Sequence, residues 1–136
     1  MHWKLIISIM LVITAFSCKN KGSETTATEI AIPDDFYAFY DQFHSDSMYQ
    51  MQHIIFPLDG IPAEENLRSG DWNWKKDDWV MHRPFDSKGT FKQQWYSINS
   101  IIIEKISDSS GRFTMERRWA RMGEEWNLIF YKEMGI

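Results

Sequence analysis

Cysteine is almost absent from this chain, which has one, Cys18, in 136 residues. A single cysteine excludes an internal disulfide, and it excludes zinc sites that are built from several cysteines. An excess of positive charge is also missing, because the formal net charge is −4. We therefore expect no broad electrostatic attraction to nucleic acid or to anionic lipid.

The common catalytic and metal-binding patterns are missing as well. The sequence contains no HExxH pattern and no Gly-rich phosphate loop, and no two histidines stand three or four residues apart. No Ser-His-Asp or Cys-His arrangement can be argued from the order of the residues. The sequence therefore predicts no metal and no cofactor.

A hydrophobic run long enough to cross a membrane is lacking too. The longest apolar run covers residues 5–16 and follows the short positive start His2-Trp3-Lys4. Twelve residues are too few for a membrane-spanning helix, which needs about 20, but they suit the core of a signal peptide. The small residues Ala15 and Ser17 then lead into Cys18. This ending is typical of a cleavage site.

The segment "TAFSC" resembles the lipobox of bacterial lipoproteins, in which the cysteine after the cleavage site becomes lipidated. The resemblance implies that Cys18 is the lipid attachment site and that the mature protein is anchored to a membrane of the cell envelope, with the periplasmic face of the outer membrane favoured. Ordinary secretion after cleavage at Ser17 is the alternative. It would leave an unpaired thiol in an oxidising compartment.

The chain is predicted to contain one folded domain after the signal. Residues 1–17 form the signal peptide, residues 18–32 are a polar tether without aromatic side chains, and residues 33–136 form the domain. The domain begins with an amphipathic helix, because Phe36, Phe39, Tyr40 and Phe43 recur at helical spacing.

The rest of the domain is predicted to be mostly β-structure. A strand covers residues 53–58 and ends at Pro57 and the turn formed by Asp59 and Gly60. Further extended segments are "DWNW", "WVMHRPF", "WYSINSIIIEKI", "RFTMERRWARM" and "WNLIFYKEM". A helix followed by antiparallel strands predicts an α+β fold, with the aromatic face of the helix packed in the concavity of a curved antiparallel sheet.

The segments "DFYAFYDQFHSDSMYQMQHIIFPLDG" and "DDWVMHRPF" and the final pair of strands resemble a domain-of-unknown-function family of small bacteroidete lipoproteins. The resemblance covers about residues 34–134. It implies a cone-shaped fold of the cystatin-like, nuclear-transport-factor-2-like group, and it implies no known activity. The Gln-x-Val-x-Gly loop of the cystatin protease inhibitors is absent.

Aromatic side chains are the first candidates for binding a ligand. Six of the seven tryptophans follow the predicted signal. Most of them are expected to form the core. Trp72 and Trp74 are the better candidates for stacking on a ligand, because they lie beside loop segments, and Trp79 is a further candidate. His82 is predicted to be a histidine of the surface or rim rather than a metal ligand.

A second candidate group lies in the segment "RFTMERRWARM", where alternation places Arg117, Trp119 and Arg121 on one face of a strand. Two guanidinium groups beside an indole can hold a carboxylate ligand. The favoured interpretation is that this face is the outer face of the sheet and that the arginines cover Trp119 there.

Carboxylates are the third group, because a buried Asp or Glu with a raised pKa can act as a proton shuttle. Asp46, Asp78 and Glu116 adjoin apolar segments, with His53 or His82 as a nearby histidine. We therefore expect a non-catalytic envelope protein that binds a small ligand or an envelope protein through the concavity or its tryptophan-bearing rim. The alternatives are an enzyme with a buried carboxylate and an assembly protein acting through an exposed face around Arg117 and Trp119.

Overall fold

The computed structural model describes residues 31–68 and 70–136. The predicted signal peptide, Cys18 and most of the predicted tether lie outside the described residues. The helices are α1 (Asp34–Ser45) and α2 (Ser47–Gln52), and the strands are β1 (Ile54–Ile61), β2 (Asn73–Trp74), β3 (Lys92–Ile98), β4 (Ile101–Ser107), β5 (Thr114–Met122) and β6 (Glu125–Gly135). Within this part of the chain, no helix is long and apolar enough to span a bilayer.

The two helices follow each other with a sharp break at Asp46. The carboxylate of Asp46 accepts hydrogen bonds from the backbone N–H groups of Met48 and Tyr49, at 2.9 Å and 3.1 Å, and so caps α2. Asp46, one of the predicted carboxylate candidates, therefore has a structural role.

The six strands form one curved sheet in the order β2-β1-β6-β5-β4-β3. The predicted α+β fold, with a helix in the concavity of a curved sheet, is confirmed. Four of the five strand pairs are antiparallel as predicted, whereas β1 and β6 run parallel. The first and last strands of the domain thus meet in the middle of the sheet.

The core lies between α1 and the concave face of this sheet. Phe36 and Phe43 of α1 are fully buried against Trp119 of β5, which is also fully buried. The Phe43 and Trp119 ring centroids are 4.8 Å apart, with the rings perpendicular. Such edge-to-face pairs add to the gain from burying large apolar surfaces. The helical spacing of the aromatic residues correctly predicted this face.

Two predicted strand boundaries are wrong. β1 continues through Pro57 to Ile61, because Pro57 is exposed and lies where the pairing of β1 with β6 is irregular, between Ile54 and Asp59. A missing backbone N–H does no harm at such a point. The segment predicted as one strand, "WYSINSIIIEKI", is a hairpin that turns at Asn99 and Ser100, both with positive φ.

The segment "WVMHRPF", predicted to be extended at an edge of the sheet, forms no strand. It is held by the side chain of Gln50, which is buried. The Gln50 amide nitrogen donates to the carbonyl of His82 at 3.0 Å, and its amide oxygen accepts from the His82 backbone N–H at 2.8 Å. These bonds replace the ladder bonds of a strand, and they place Trp79 and His82 over the sheet.

Candidate ligand-binding site

The centre of the concavity contains a buried ion pair. Glu104 of β4 and Arg117 of β5 are directly opposite each other in the register of the sheet. Arg117 Nε donates to Glu104 Oε2 at 2.7 Å, and Arg117 Nη2 donates to Glu104 Oε1 at 3.0 Å. The two side chains are 0% and 3% exposed, so the pair is shielded from solvent on both sides. Such bidentate, charge-assisted hydrogen bonds are among the strongest in proteins.

The same carboxylate is also bound by two neutral groups. The hydroxyl of Tyr40 donates to Glu104 Oε1 at 2.6 Å, and the amide of Gln93 donates to it at 2.7 Å. Burial, together with the charge of Glu104, raises the pKa of Tyr40 far above its ordinary value, so its hydroxyl stays protonated. The charge of Glu104 is therefore fully compensated, as a buried charge requires.

Two histidines contact the Arg117 nitrogen that does not bind Glu104. Arg117 Nη1 lies 2.6 Å from His44 Nε2 and 3.2 Å from His82 Nδ1. His44 Nδ1 lies 2.8 Å from the carbonyl of Tyr40, which identifies Nδ1 as the protonated nitrogen and Nε2 as the acceptor. Burial, with the charge of Arg117, lowers the pKa of His44 to about 4 and that of His82 to about 2. Both imidazoles are therefore neutral and accept from Arg117.

A small cavity, here called the rim cavity, lies on the other side of His82. Its volume is about 190 Å³. It is lined by residues of β2, β6 and the segment that follows β2, which are Trp74, Asp78, Trp79, Val80, His82, Tyr131 and Glu133. His82 thus separates the buried ion pair from a space that is open to solvent.

The aromatic wall of the rim cavity depends on Gly60 in β1. The indole of Trp74 crosses β1 and donates from Nε1 to the carbonyl of Tyr131 in β6, at 3.0 Å. A Cβ atom at position 60 would clash with that indole and with that carbonyl. Only glycine therefore allows Trp74 to pack on Tyr131, with ring centroids 5.2 Å apart.

The second indole of the wall is fixed in a similar way. Trp79 Nε1 donates to the amide oxygen of Gln50 at 3.1 Å, and its ring contacts those of His82 and Tyr131 with centroids 4.5 Å and 5.6 Å away. Both indole N–H groups thus donate to groups of the protein, and the two indoles can contact a ligand only through their rings. Burial, with the charge of Glu133, raises the pKa of Tyr131 to about 12, so this side chain is neutral.

The predicted site residues do not all come together. Trp74, Trp79 and His82 line the rim cavity, and Trp72 contacts Trp74 with centroids 5.8 Å apart but lines a neighbouring cavity. Arg121 lies at the other end of β5, paired with Asp35 and over the ring of Trp126. Asp78 lines the rim cavity, whereas Glu116 pairs with Arg118 at 2.7 Å.

The interpretation of Arg117 and Trp119 as an exposed outer face is wrong. Both side chains point into the concavity, where Trp119 is part of the core and Arg117 holds Glu104. The alternation of β5 correctly predicted that they share a face, but it contained no information on which face is covered by α1.

Residues of this region that were missed from the sequence include Gln50, Glu104, Tyr131 and Glu133. Glu104 carried a signal, because it alternates with Ile102 and Ile106, and all three are buried on the inner face of β4. Gln50 and Tyr131 carried none, since their roles depend on contacts with distant segments. Across residues 31–68 and 70–136, no cluster of three or more His, Cys, Asp or Glu side chains is arranged to hold a metal.

Comparison with known proteins supports the fold. No family model and no curated protein matches the chain. The crystal structure of a nuclear-transport-factor-2-like protein from Bacteroides fragilis is similar, with a TM-score of 0.53 and 16% identity over 79% of this chain. The match covers 50% of that protein, so the chain spans half its length. A nuclear-transport-factor-2-like protein of unknown function from Shewanella baltica gives a TM-score of 0.42 and 13% identity, over 75% of this chain and 90% of that one. The similarity to the Bacteroides structure shows that the fold is nuclear-transport-factor-2-like.

Proposed function

We propose that this chain is a lipid-anchored protein of the bacterial cell envelope whose domain binds a small ligand in the rim cavity without chemical conversion. The observation that carries the proposal is the composition of this cavity, in which Trp74, Trp79 and Tyr131 present aromatic surface beside the carboxylates of Asp78 and Glu133. Aromatic walls with a few polar groups are typical of small-molecule sites.

The centre of the concavity is a weaker candidate for a binding site. Its apolar part is filled by the aromatic residues of α1 packed on Trp119, and its polar part is occupied by Glu104, Arg117 and their partners. A ligand there would have to displace buried hydrogen bonds, each of which is costly to leave unmade. The rim cavity needs no such displacement.

The enzyme alternative has less support for the same reason. Glu104 is the buried carboxylate that such an enzyme would use, but it is bound by Arg117, Tyr40 and Gln93 and lines none of the five cavities described for this domain. A proton shuttle needs a carboxyl group within reach of its substrate.

The anchoring part of the proposal rests on the sequence. Residues 1–17 would be removed as a signal peptide, Cys18 would carry the lipid, and the following residues would tether the domain to the periplasmic face of the outer membrane. Membership of the bacteroidete lipoprotein family belongs to the same proposal, and the nuclear-transport-factor-2-like fold is consistent with it.

Binding is tested with the full chain purified in detergent, by following its melting temperature and intrinsic tryptophan fluorescence against amines, envelope glycans, peptidoglycan fragments, steroids and fatty acids. A ligand at about 100 times its Kd stabilises a fold by about 2.7 kcal/mol, which raises the melting temperature by several degrees. The blocking variant is Val80→Trp, because Val80 lines the cavity and is 78% exposed. The control is Ile98→Trp, at another exposed site.

A ligand whose effect is lost in Val80→Trp and kept in Ile98→Trp would support the rim cavity as the site. Equal loss in both variants, or none in either, would contradict it. If no compound of the panel changes the melting temperature or the fluorescence, a protein partner is to be sought by crosslinking in intact cells.

Anchoring is tested separately with the variant Cys18→Ser. The wild-type chain should take up a clickable fatty acid and fractionate with membranes, whereas the variant should do neither. Labelling that persists in the variant would show that the lipobox interpretation is wrong.

A further inference from the structure

We propose that the rim cavity binds an alkylammonium group, the cationic head of an amine ligand. This inference rests on the proposed function, because it assigns a chemical class to the ligand of the same cavity. It is argued from the hydrogen-bonding state, charge and size of the cavity.

The first argument is the state of the two indole rings in the wall. The indole N–H of Trp74 is bound to the carbonyl of Tyr131, and that of Trp79 is bound to Gln50. The faces of these rings are electron-rich and attract cations. The two indoles therefore offer ring faces rather than N–H donors to a ligand, which suits a cation.

The second argument is the charge of the lining. Asp78 and Glu133 are its charged side chains, and none of the lysines or arginines in the described part of the chain lines the cavity. In the described part of the chain, neither of the two carboxylates forms a salt bridge. Glu133 Oε2 accepts one hydrogen bond, from the backbone N–H of Ala63 at 2.9 Å, which fixes its position on β6. Both negative charges would attract a cation in the cavity.

The guanidinium of Arg117 lies behind His82, with Nη1 3.2 Å from His82 Nδ1. Its charge is already compensated by Glu104 at 2.7 Å, and neutral His82 stands between it and the cavity. The ion pair as a whole is neutral, so it does not cancel the negative charge of Asp78 and Glu133 at the rim.

The third argument is size. A volume of about 190 Å³ is smaller than the roughly 300–1,000 Å³ of sites that enclose whole drug-sized ligands. The cavity therefore suits one head group, with the rest of the ligand outside. Aromatic rings around an ammonium group are a recurrent solution for such head groups.

The test compares choline with its neutral isostere 3,3-dimethylbutan-1-ol by isothermal titration of the full chain in detergent. The two molecules have the same shape and differ in charge, so a shape-driven apolar site would bind them equally. We expect choline to bind at least about fivefold more tightly, and n-butylammonium to compete with it. Equal affinity for choline and its isostere, or tighter binding of a neutral sugar, would overturn the proposal.

Two substitutions test whether choline binds at the carboxylates of the rim cavity. Asp78→Asn and Glu133→Gln should each weaken choline binding by about threefold to tenfold, and neither should change binding of the isostere. Asp77→Asn is the matched control, because Asp77 is the neighbour of Asp78 and does not line the cavity. Equal weakening by Asp77→Asn would overturn the proposal, because it would show a general effect of net charge.

The source of the amine is distinguished with soluble probes. Tighter binding of glycerophosphoethanolamine than of ethanolamine would identify a lipid head group, and the reverse order would identify a free amine. If no amine binds but another compound of the panel is blocked by Val80→Trp, the ammonium assignment is wrong and the rim cavity remains a binding site. If nothing in the panel binds, both proposals fail.

Discussion

The centre of the concavity and the rim cavity both contain carboxylates, but the one at the centre is bound within the protein and those at the rim form no salt bridge in the described part of the chain. At the centre, the carboxylate of Glu104 is bound by Arg117, Tyr40 and Gln93 and is shielded from water. At the rim, Asp78 and Glu133 are in none of the salt bridges found among the described residues. A polar group whose partners are all within the fold stabilises a structure, whereas a polar group with free capacity can bind something else.

The largest expected effect is a difference in the free energy of unfolding between substitutions at two neighbouring arginines of β5. Arg117→Leu leaves Glu104 buried without its counter-charge, which should lower the free energy of unfolding by about 3–5 kcal/mol. Arg118→Leu removes a partly exposed pair with Glu116 and a contact over the ring of Phe130, and should cost less than about 1 kcal/mol. Urea unfolding of both variants measures the difference. Similar losses would contradict a special role for the central pair.

Low pH should lower the stability of the fold, because His44 and His82 at the centre of the concavity are neutral when folded. The pKa of His44 is about 4 in the fold, against 6.5 for a free imidazole, and that of His82 is about 2. The unfolded chain therefore binds more protons below about pH 6.5, so stability is greatest above that pH and falls as the pH decreases. His44 alone should account for a loss on the order of 3 kcal/mol between about pH 7 and pH 4.

Unfolding in urea at a series of pH values tests this dependence. Arg117 and Glu104 face His44 from the sheet, and Asp41 lies on its own helix. The double variant His44→Gln, His82→Gln keeps these groups and should show a flatter profile between about pH 6.5 and pH 4. Parallel profiles for the wild type and the double variant would contradict the account.

Gly60 tests how the rim cavity is built. Gly60→Ala places a methyl group against the indole of Trp74 and the carbonyl of Tyr131, so it should cost about 1–3 kcal/mol. It should also change the fluorescence of Trp74. Gly89→Ala is the control, because the nearest atom to its Cβ would be the carbonyl oxygen of Asp86 at 3.9 Å. Its stability should stay within about 0.5 kcal/mol of the wild type, and an equal loss there would contradict the proposed packing.

Local patterns in the sequence predicted the parts of the fold that depend on local order. The helical spacing of Phe36, Phe39, Tyr40 and Phe43 predicted α1 and its buried face, and alternation predicted β5 and β6. The hairpin between β3 and β4 was missed because its turn residues, Asn99 and Ser100, include no glycine, although both have positive φ.

The site was harder to predict because it is assembled from distant segments. Gln50 binds residues 29 to 32 positions away, and Trp74 reaches Tyr131 over 57 positions. One sequence contains no direct signal for such contacts. Trp74, Trp79 and His82 were nevertheless singled out from the sequence, and they lie together in the structure because Gln50 and Gly60 hold them there.

The most direct test of the central claim is the same chemical change at the two glutamates, Glu104→Gln and Glu133→Gln, followed by urea unfolding. Glu104→Gln should lower the free energy of unfolding by about 3–5 kcal/mol, because Arg117 loses its buried counter-charge. Glu133→Gln should change it by less than about 1 kcal/mol, because Glu133 forms no salt bridge among the described residues and the glutamine oxygen can still accept from the Ala63 N–H. Equal effects at the two positions would contradict the division between a structural centre and a binding rim.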